Sequence, residues 1–207
     1  MMLSPADVNA ALPISGPGLI LRRCERSDMS ALAAWPTYPF PHNGFNFSFR
    51  GATEPETDSI YAQRMQDRAR LMLVLDHVKQ TCIGYFALLD MDWQAGEIGN
   101  LSVRMHPDWR GRGIGTRALR LLCDWAFDMG FRSLALDVAA SNEAAVRCYL
   151  SVGFAVKRET WKTALHGGRR RVGRGDVHIA SGARTCGARR AGTEVLHHGT
   201  ATDLSGA

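Results

Sequence analysis

The most informative stretch of the chain is residues 101–116, which read LSVRMHPDWRGRGIGT. The alternating pattern up to Met105 predicts a strand, His106-Pro107 predicts a turn, and the glycines after it open a helix. Free backbone N–H groups at a helix N-terminus attract an anion, and glycines let the main chain approach it closely. The turn supplies two positive charges and three glycines: Arg110, Gly111, Arg112, Gly113 and Gly115. It therefore predicts a phosphate-binding turn whose expected ligand is a pyrophosphate.

The pattern of this turn excludes two common phosphate loops. A P-loop requires GxxxxGK[ST], and no Lys-Ser or Lys-Thr pair follows these glycines. A dinucleotide fingerprint requires GxGxxG, and Thr116 stands where its third glycine would be. Arg-x-x-Gly-x-Gly remains, from Arg110 to Gly115. By itself this pattern leaves open an ordinary glycine-rich turn with a solvated arginine pair.

Hydrophobic periodicity on both sides of the turn predicts a single mixed α/β sheet. Strand-like runs precede the turn, and the first two are close enough to pair as a hairpin; the runs are Leu71–Leu75, Cys82–Leu89 and Glu97–Met105. A helix, a strand and a second helix are predicted after the turn. The first helix ends before Gly130, the strand covers Ser133–Val138, and Asn142 caps the second helix. Two further helices are predicted earlier, from Asp28 to Trp35 and over residues 54–69. A hairpin combined with strand–helix–strand units gives a mixed sheet with helices on its faces.

A second motif follows 27 residues after Gly115 and reads NEAAVRCYLSVGF, from Asn142 to Phe154. It resembles N-x-x-A-x-x-x-Y-x-x-x-G-F of the GNAT superfamily of N-acetyltransferases. Arg110-x-x-Gly113-x-Gly115 is similar to the acetyl-CoA motif of that family, Gln/Arg-x-x-Gly-x-Gly/Ala. The resemblance covers about residues 19–162. The region of Asp28 and Trp35 resembles the ribosomal-protein N-terminal acetyltransferase branch, which also contains small-molecule enzymes.

The resemblance implies a fold, a donor and a set of binding residues. The fold is α/β of the α+β type: one mixed, mostly antiparallel sheet flanked by helices, with a splayed central strand pair. The acetyl donor is acetyl-CoA, and no metal is expected. The residues implied in cofactor binding are Val103, Arg104, Met105, Arg110, Gly111, Arg112, Gly113, Ile114, Gly115, Thr116 and Asn142.

The resemblance also implies a catalytic acid and two alternative bases. Tyr149 stands where the family places its general acid. A protonated phenol can deliver a proton to a departing thiolate, which suits this role. The alternative is a core tyrosine on a helix face. Asp137 resembles the acidic base of some N-terminal-amine acetyltransferases, or is an ordinary strand-end aspartate. Glu97 is the rival base, because many relatives place one on the fourth strand. His106 is expected to be structural or exposed.

The acceptor is an amine, either a protein N-terminus or a small molecule, and its identity is not readable. Aromatic residues between positions 30 and 62 either line the acceptor site or cover the sheet as packing: Trp35, Tyr38, Phe40, Phe45, Phe47 and Phe49. Direct transfer from acetyl-CoA is the function expected. The alternative is a degenerate member that binds CoA or a partner without turnover.

Composition excludes several other classes. The chain has no run of eighteen apolar residues that could span a membrane, and no secretory signal is visible. Five cysteines form no CxxC pair, as expected for reduced thiols in a cytoplasmic protein. Most of the net charge of +5 lies after residue 166, where seven arginines face three acidic residues. Nucleic-acid binding is therefore not expected except through this tail, and the protein is expected to be a monomer or homodimer.

The sequence divides into three segments. Residues 1–18 are expected to be a loose leader, residues 19–165 the acetyltransferase domain, and residues 166–207 a poorly ordered, Gly/Arg-rich tail. The abrupt change in composition suggests a shifted reading frame or a recent extension. Asp176–Ile179 is the one weak candidate for a return strand in the tail.

Overall fold

The computed structural model describes residues 4–40, 51–166 and 169–182, with side chains described as far as Val156. One sheet of eight strands runs through these residues in the order β1-β2-β3-β4-β5-β6-β8-β7. The strands are β1 (Ile14–Gly16), β2 (Leu19–Arg23), β3 (Leu71–His77), β4 (Gln80–Asp92), β5 (Glu97–Met105), β6 (Ser133–Ala139), β7 (Ala155–His166) and β8 (Arg169–Gly182). The helices are α1 (Pro5–Ala10), α2 (Arg26–Ala33), α3 (Glu54–Gln66), α4 (Ile114–Asp128) and α5 (Glu143–Val152). Every neighbouring pair is antiparallel except β5–β6. The predicted fold class is therefore confirmed.

Helices cover both faces of the sheet. The larger core cluster packs α4 and α5 against one face, and Leu73, Phe86 and Leu101 belong to it. The smaller cluster packs α2 against the other face, with α3 residues beside it; Met72, Val74 and Tyr85 belong to it. Because successive side chains of a strand point to opposite faces, β3 and β4 contribute to both clusters, and almost all of β3 and the middle of β4 are buried.

Capping residues in the local sequence determine where the helices begin and end. Thr53 and Glu56 form a capping box at the start of α3, as predicted. The helix ends at Gln66, before the predicted 69, because Asp67 has an extended ψ of 108°. Asn142 caps α5 by accepting a hydrogen bond from the Ala145 N–H. Gly153 ends α5 with a left-handed φ of 109°.

Two segments differ from the expected division of the chain. The predicted leader contains α1, whose first turn is closed by a capping box between Ser4 and Asp7, and β1, which pairs with β2. The predicted tail contains β8, which lies between β6 and β7. Its segment Asp176–Ile179 pairs with Leu136–Ala139 of β6. The β6–β8 pairing joins segments about 40 residues apart in sequence, so local composition does not reveal it. Residues 167–168 and 183–207 lie outside the described residues.

Among the described residues, no helix is long and apolar enough to cross a membrane.

Candidate active site

The central strands β5 and β6 are paired only at their first residues and then diverge. β5 pairs with β4 from Glu97 to Met105, but with β6 only at Glu97↔Ser133 and Ile98↔Leu134. β6 stays in the sheet because β8 pairs with it along its full length. Beyond Ile98, the edge of β5 that faces β6 therefore has backbone N–H and C=O groups without a neighbouring strand. This is the splay that the family resemblance implies.

A cavity of about 650 Å³ lies in the gap between the two strands. Its walls come from β5, β6, the glycine turn and the first turns of α4 and α5. Most of the predicted site residues line it: Val103, Arg104, Met105, Arg110, Gly111, Gly113, Gly115, Thr116, Asp137, Asn142 and Tyr149. Arg112, Ile114 and Glu97 are not among its lining residues. The structure thus brings together residues that are up to 46 positions apart, from Val103 to Tyr149.

The glycine turn presents backbone N–H groups to one end of the cavity. Gly113 is the N-cap of α4, with a φ of 70° and no side-chain cap for the first turn. A left-handed φ is strained for residues other than glycine, and a Cβ placed on Gly113 would meet nothing within 4 Å. The open space in front of a positive helix end suits an anion such as a pyrophosphate. Ile114, in contrast, is buried in the larger core cluster.

The two arginines of the turn stack on different rings. The Arg110 guanidinium lies 4.5 Å from the centre of the Tyr38 ring, which holds it beside the cavity. The Arg112 guanidinium lies 5.6 Å from the centre of the Trp109 ring. Arg110 is therefore the arginine of this pair that lines the cavity.

Tyr149 lies on α5 at the other wall of the cavity. It is 8% exposed, and its ring packs against Phe154 with 5.9 Å between the ring centres. Burial raises the pKa of Tyr149 to about 12, and the nearby Arg104 charge opposes this rise. The phenol is therefore protonated at neutral pH. The asparagine, tyrosine, glycine and phenylalanine of the second motif act as helix cap, cavity wall, helix end and packing partner.

Tyr38 closes the opening of the splay. Its hydroxyl donates a hydrogen bond to the Met105 carbonyl oxygen at 2.8 Å, and the Met105 N–H approaches the same hydroxyl at 3.4 Å. Tyr38 is 6% exposed and lines the cavity. Of the aromatic residues that the sequence left open between acceptor site and packing, Tyr38 is thus both buried and part of the cavity wall. Trp35 is buried in the smaller core cluster, and Phe40 is 88% exposed. Phe45, Phe47 and Phe49 lie outside the described residues.

The two predicted bases occupy different places. Asp137 lines the cavity from β6, and its side chain is exposed. Glu97 lies at the start of β5, where that strand still pairs with β6. Seven residues of extended strand separate Glu97 from Arg104, which corresponds to about 23 Å. The structure therefore brings Asp137, and not Glu97, into the cavity with Tyr149.

The sequence did not single out Cys148 as a site residue. Its sulfur lies 3.2 Å from the Thr116 hydroxyl, so it joins α5 to α4 at the wall of the cavity. Its position next to Tyr149 in the second motif is the signal that could have identified it. Metal-binding groups of three or more His, Cys, Asp or Glu are absent from the part of the chain that the structure describes.

Comparison with known proteins gives a family and a fold. Residues 33–154 match the family model described as "Acetyltransferase (GNAT) family". No curated protein matches the chain. Among solved structures, the spermidine N-acetyltransferase from Vibrio cholerae in complex with CoA and spermine is similar with a TM-score of 0.67 and 18% identity. The alignment covers 81% of this chain and 97% of that one.

A second structure of the Vibrio cholerae enzyme, a dodecamer in an intermediate state, gives a TM-score of 0.63 at 18% identity. It covers 80% of this chain and 94% of the other. At such identities the likeness concerns the fold.

Proposed function

The chain belongs to the GNAT family of acetyltransferases, and we propose that it transfers the acetyl group of acetyl-CoA directly to a primary amine. The observation that carries this proposal is the parting of β5 from β6 above a glycine turn that opens α4. The gap gives a thioester access to free strand backbone, and the turn offers an anion site for the pyrophosphate. Both features belong to one cavity, as a substrate with a phosphate end and a reactive end requires.

We propose that β5 polarises the thioester carbonyl. The Met105 N–H and C=O are hydrogen-bonded to the Tyr38 hydroxyl, on the edge of β5 that faces away from β4. Residues two apart on a strand direct these groups to the same edge, so the Val103 N–H points into the gap as well. A backbone donor fixed in this way stabilises negative charge that develops on the carbonyl oxygen.

Tyr149 and Asp137 are proposed to move the protons. The amine nitrogen forms a bond to the acetyl carbon, and the bond from that carbon to sulfur breaks. Asp137 accepts the proton that the amine loses, directly or through water, and Tyr149 donates one to the departing sulfur. The position of both residues at the cavity supports this assignment. Arg110 and the backbone of Gly111–Gly115, with Thr116 and Asn142 beside them, are proposed to hold the pyrophosphate arm.

Acetyl-CoA binding measured by isothermal titration calorimetry tests the cofactor assignment. Gly113→Glu places a carboxylate at the proposed pyrophosphate site, and we expect it to weaken acetyl-CoA binding about 100-fold or more because like charges repel at a helix N-terminus. Gly51→Glu is the matched control: Gly51 has a φ of 73°, its Cβ would meet nothing within 4 Å, and it does not line the cavity. Equal affinity in both variants, or saturable binding of NAD instead, would contradict the assignment.

We propose three classes of acceptor. A protein N-terminus, as in the ribosomal-protein branch, and a small-molecule amine are the candidates. The solved relatives are named for spermidine, which makes a polyamine a third candidate. The proposed assembly is a monomer or homodimer, whereas one of those relatives is dodecameric. A cytoplasmic location is proposed with it.

The alternative function is binding of CoA or a partner without turnover. The change to Gly/Arg-rich sequence after residue 166, where the family resemblance ends, is the observation that favours it. Release of free thiol from acetyl-CoA in the presence of mixed amines distinguishes the two functions, because a binding protein releases none.

A further inference from the structure

Arg104 is a cation without a counter-ion in the described structure. It lies on β5, half-buried, and lines the cavity. Its Nη1 donates to the Val103 carbonyl oxygen at 2.9 Å, while its Nε is buried and has no hydrogen-bond partner among the described residues. Arg22, by comparison, has carboxylate oxygens of Asp28 and Asp76 at 2.7 Å. A buried guanidinium donor without a partner costs free energy, which a bound anion would recover.

The phenols around Arg104 are neutral. Tyr85 is its direct partner across the β4–β5 ladder, and the Arg104 charge acts on the phenols of Tyr38, Tyr85 and Tyr149. Burial raises the pKa of each of these phenols above the ordinary value, so all three are protonated at neutral pH. They can accept or donate hydrogen bonds, but they do not neutralise the guanidinium.

Arg104 is on the opposite face of the sheet from the glycine turn. Its ladder partner Tyr85 belongs to the core cluster beneath α2, whereas Met105 belongs to the cluster beneath α4 and α5. The cavity reaches both faces through the splay, with Ser102 and Arg104 on the α2 side. A pyrophosphate at the N-terminus of α4 therefore leaves Arg104 free for the molecule that enters from the other side.

The charges of the cavity disfavour a polycation. The charged side chains among its described lining residues are Arg104, Arg110 and Asp137, and the proposed function uses Arg110 for the pyrophosphate. On the α2 side, a polyamine would therefore meet the positive charge of Arg104. An acceptor that carries its own carboxylate would place it on Arg104, whose planar donors match a carboxylate.

We propose that Arg104 binds a carboxylate of the acceptor, so that the substrate class is an amine that also bears a carboxylate, such as an amino acid. This inference rests on the proposed acetyl transfer. It gives the α2 face of the cavity the role of acceptor site. It also separates this chain from the spermidine-acetylating relatives in substrate charge.

Paired acceptors test the inference. Thiol release from saturating acetyl-CoA is measured with a panel of L-amino acids, with the carboxamide of each, and with spermidine. In the wild-type chain we expect kcat/KM for the best amino acid to exceed that of its carboxamide about 10- to 100-fold, the usual effect of a hydrogen-bonded charge pair. Arg104→Met should bring this ratio close to one, whatever its absolute rate, and Arg104→Lys should give an intermediate ratio.

Arg68→Met is the matched control. Arg68 is exposed, follows α3 and does not line the cavity, so this variant should keep the wild-type ratio. A wild-type ratio near one, a preference for spermidine, or an unchanged ratio in Arg104→Met would each overturn the inference. So would an equal fall of kcat for acid and amide, since that result means that Arg104 stabilises the reacting carbonyl instead. The wild-type ratio decides the matter even if Arg104→Met does not fold.

Failure of the inference can be told apart from failure of the proposed function. If acetyl-CoA binds and the chain acetylates only amines without a carboxylate, the inference fails and the function stands. If no acceptor turns over, the amino acids are titrated calorimetrically into the protein saturated with CoA, and the absence of binding overturns the inference. If acetyl-CoA itself does not bind, the proposed function fails.

Discussion

Tyr149 shows how burial sets the protonation of a single residue. Low solvent access raises its pKa to about 12, so the phenol keeps its proton throughout the neutral range. A raised pKa means that the acid form is lost only at high pH. Tyr149 is thus a proton donor at every pH at which the fold is expected to persist.

Substitution of Tyr149 tests this role. Tyr149→Phe should lower kcat about 100-fold or more, the usual contribution of a general acid, while acetyl-CoA affinity changes little. The wild-type kcat should show no alkaline loss from this group below about pH 10, since ionisation is centred near 12. Tyr61→Phe on α3, which packs at the other face, is the control. A kcat unchanged in Tyr149→Phe would mean that the tyrosine is core packing.

At the residue scale, the sequence predicts those residues whose identity is required by the local backbone conformation. The φ of 70° at Gly113 favours glycine, and Asn142 and Gly153 mark the two ends of a helix. The structural roles of these positions can therefore be predicted from the sequence. Arg104 and Tyr38 are different. The role of Arg104 depends on which face of β5 it occupies and on its lack of a carboxylate partner among the described residues, and Tyr38 reaches Met105 across 67 residues.

At the scale of elements, α2 is held to the sheet by a buried charge cluster. Arg22 on β2 makes two hydrogen bonds of 2.7 Å to Asp28 on α2 and one of 2.7 Å to Asp76 on β3. Asp28 also accepts the Glu25 N–H, and Asp76 accepts the Cys82 N–H. The region around Asp28 that resembles the ribosomal-protein branch thus has a structural purpose in this chain.

The variant Asp28→Asn measures how much this charge cluster stabilises the fold. The variant leaves Arg22 with one carboxylate, and we expect the free energy of unfolding to fall by about 2 kcal/mol, determined by urea denaturation. Asp58→Asn is the matched control, because Asp58 pairs with Arg26 at an exposed site where such pairs stabilise little. An equal effect of the two substitutions would show that the cluster around Arg22 does not anchor α2.

Helices and strands were predicted correctly where the hydrophobic period and the capping residues agree. They were missed where a strand depends on pairing with a segment distant in sequence. β5 has the predicted bounds, and the β3–β4 hairpin is confirmed. β8 is rich in arginine and glycine, so its strand character comes from pairing with β7 and with β6, about 40 residues earlier, and not from local propensity. The splay of β5 and β6 could be predicted only through the family resemblance.

At the scale of the whole molecule, two thiols link stability to pH. Cys24 and Cys82 belong to the smaller core cluster, and burial raises the pKa of each from 9.0 to about 12. The unfolded chain loses these protons near pH 9, whereas the folded chain keeps them until about 12. Their contribution is therefore complete below pH 9 and is lost as the pH rises toward 12.

Alkaline unfolding checks this linkage. Each thiol should lower the free energy of unfolding by about 1 kcal/mol between pH 8 and pH 10. Replacing both cysteines with alanine should flatten that fall, and the value at pH 7.5 serves as the baseline for the packing that the substitutions remove. Parallel curves for wild type and the double variant would contradict the linkage.

The central claim, that the chain moves an acetyl group from acetyl-CoA to an amine, is tested most directly by following both products. Free thiol and N-acetylated acceptor are quantified, by colorimetry and mass spectrometry, after incubation with acetyl-CoA and the acceptor panel. The account predicts equal amounts of the two products with wild type and Gly51→Glu, and neither with Gly113→Glu. Saturable acetyl-CoA binding by the folded wild-type chain with no acetylated product would contradict it and leave a CoA-binding protein without turnover.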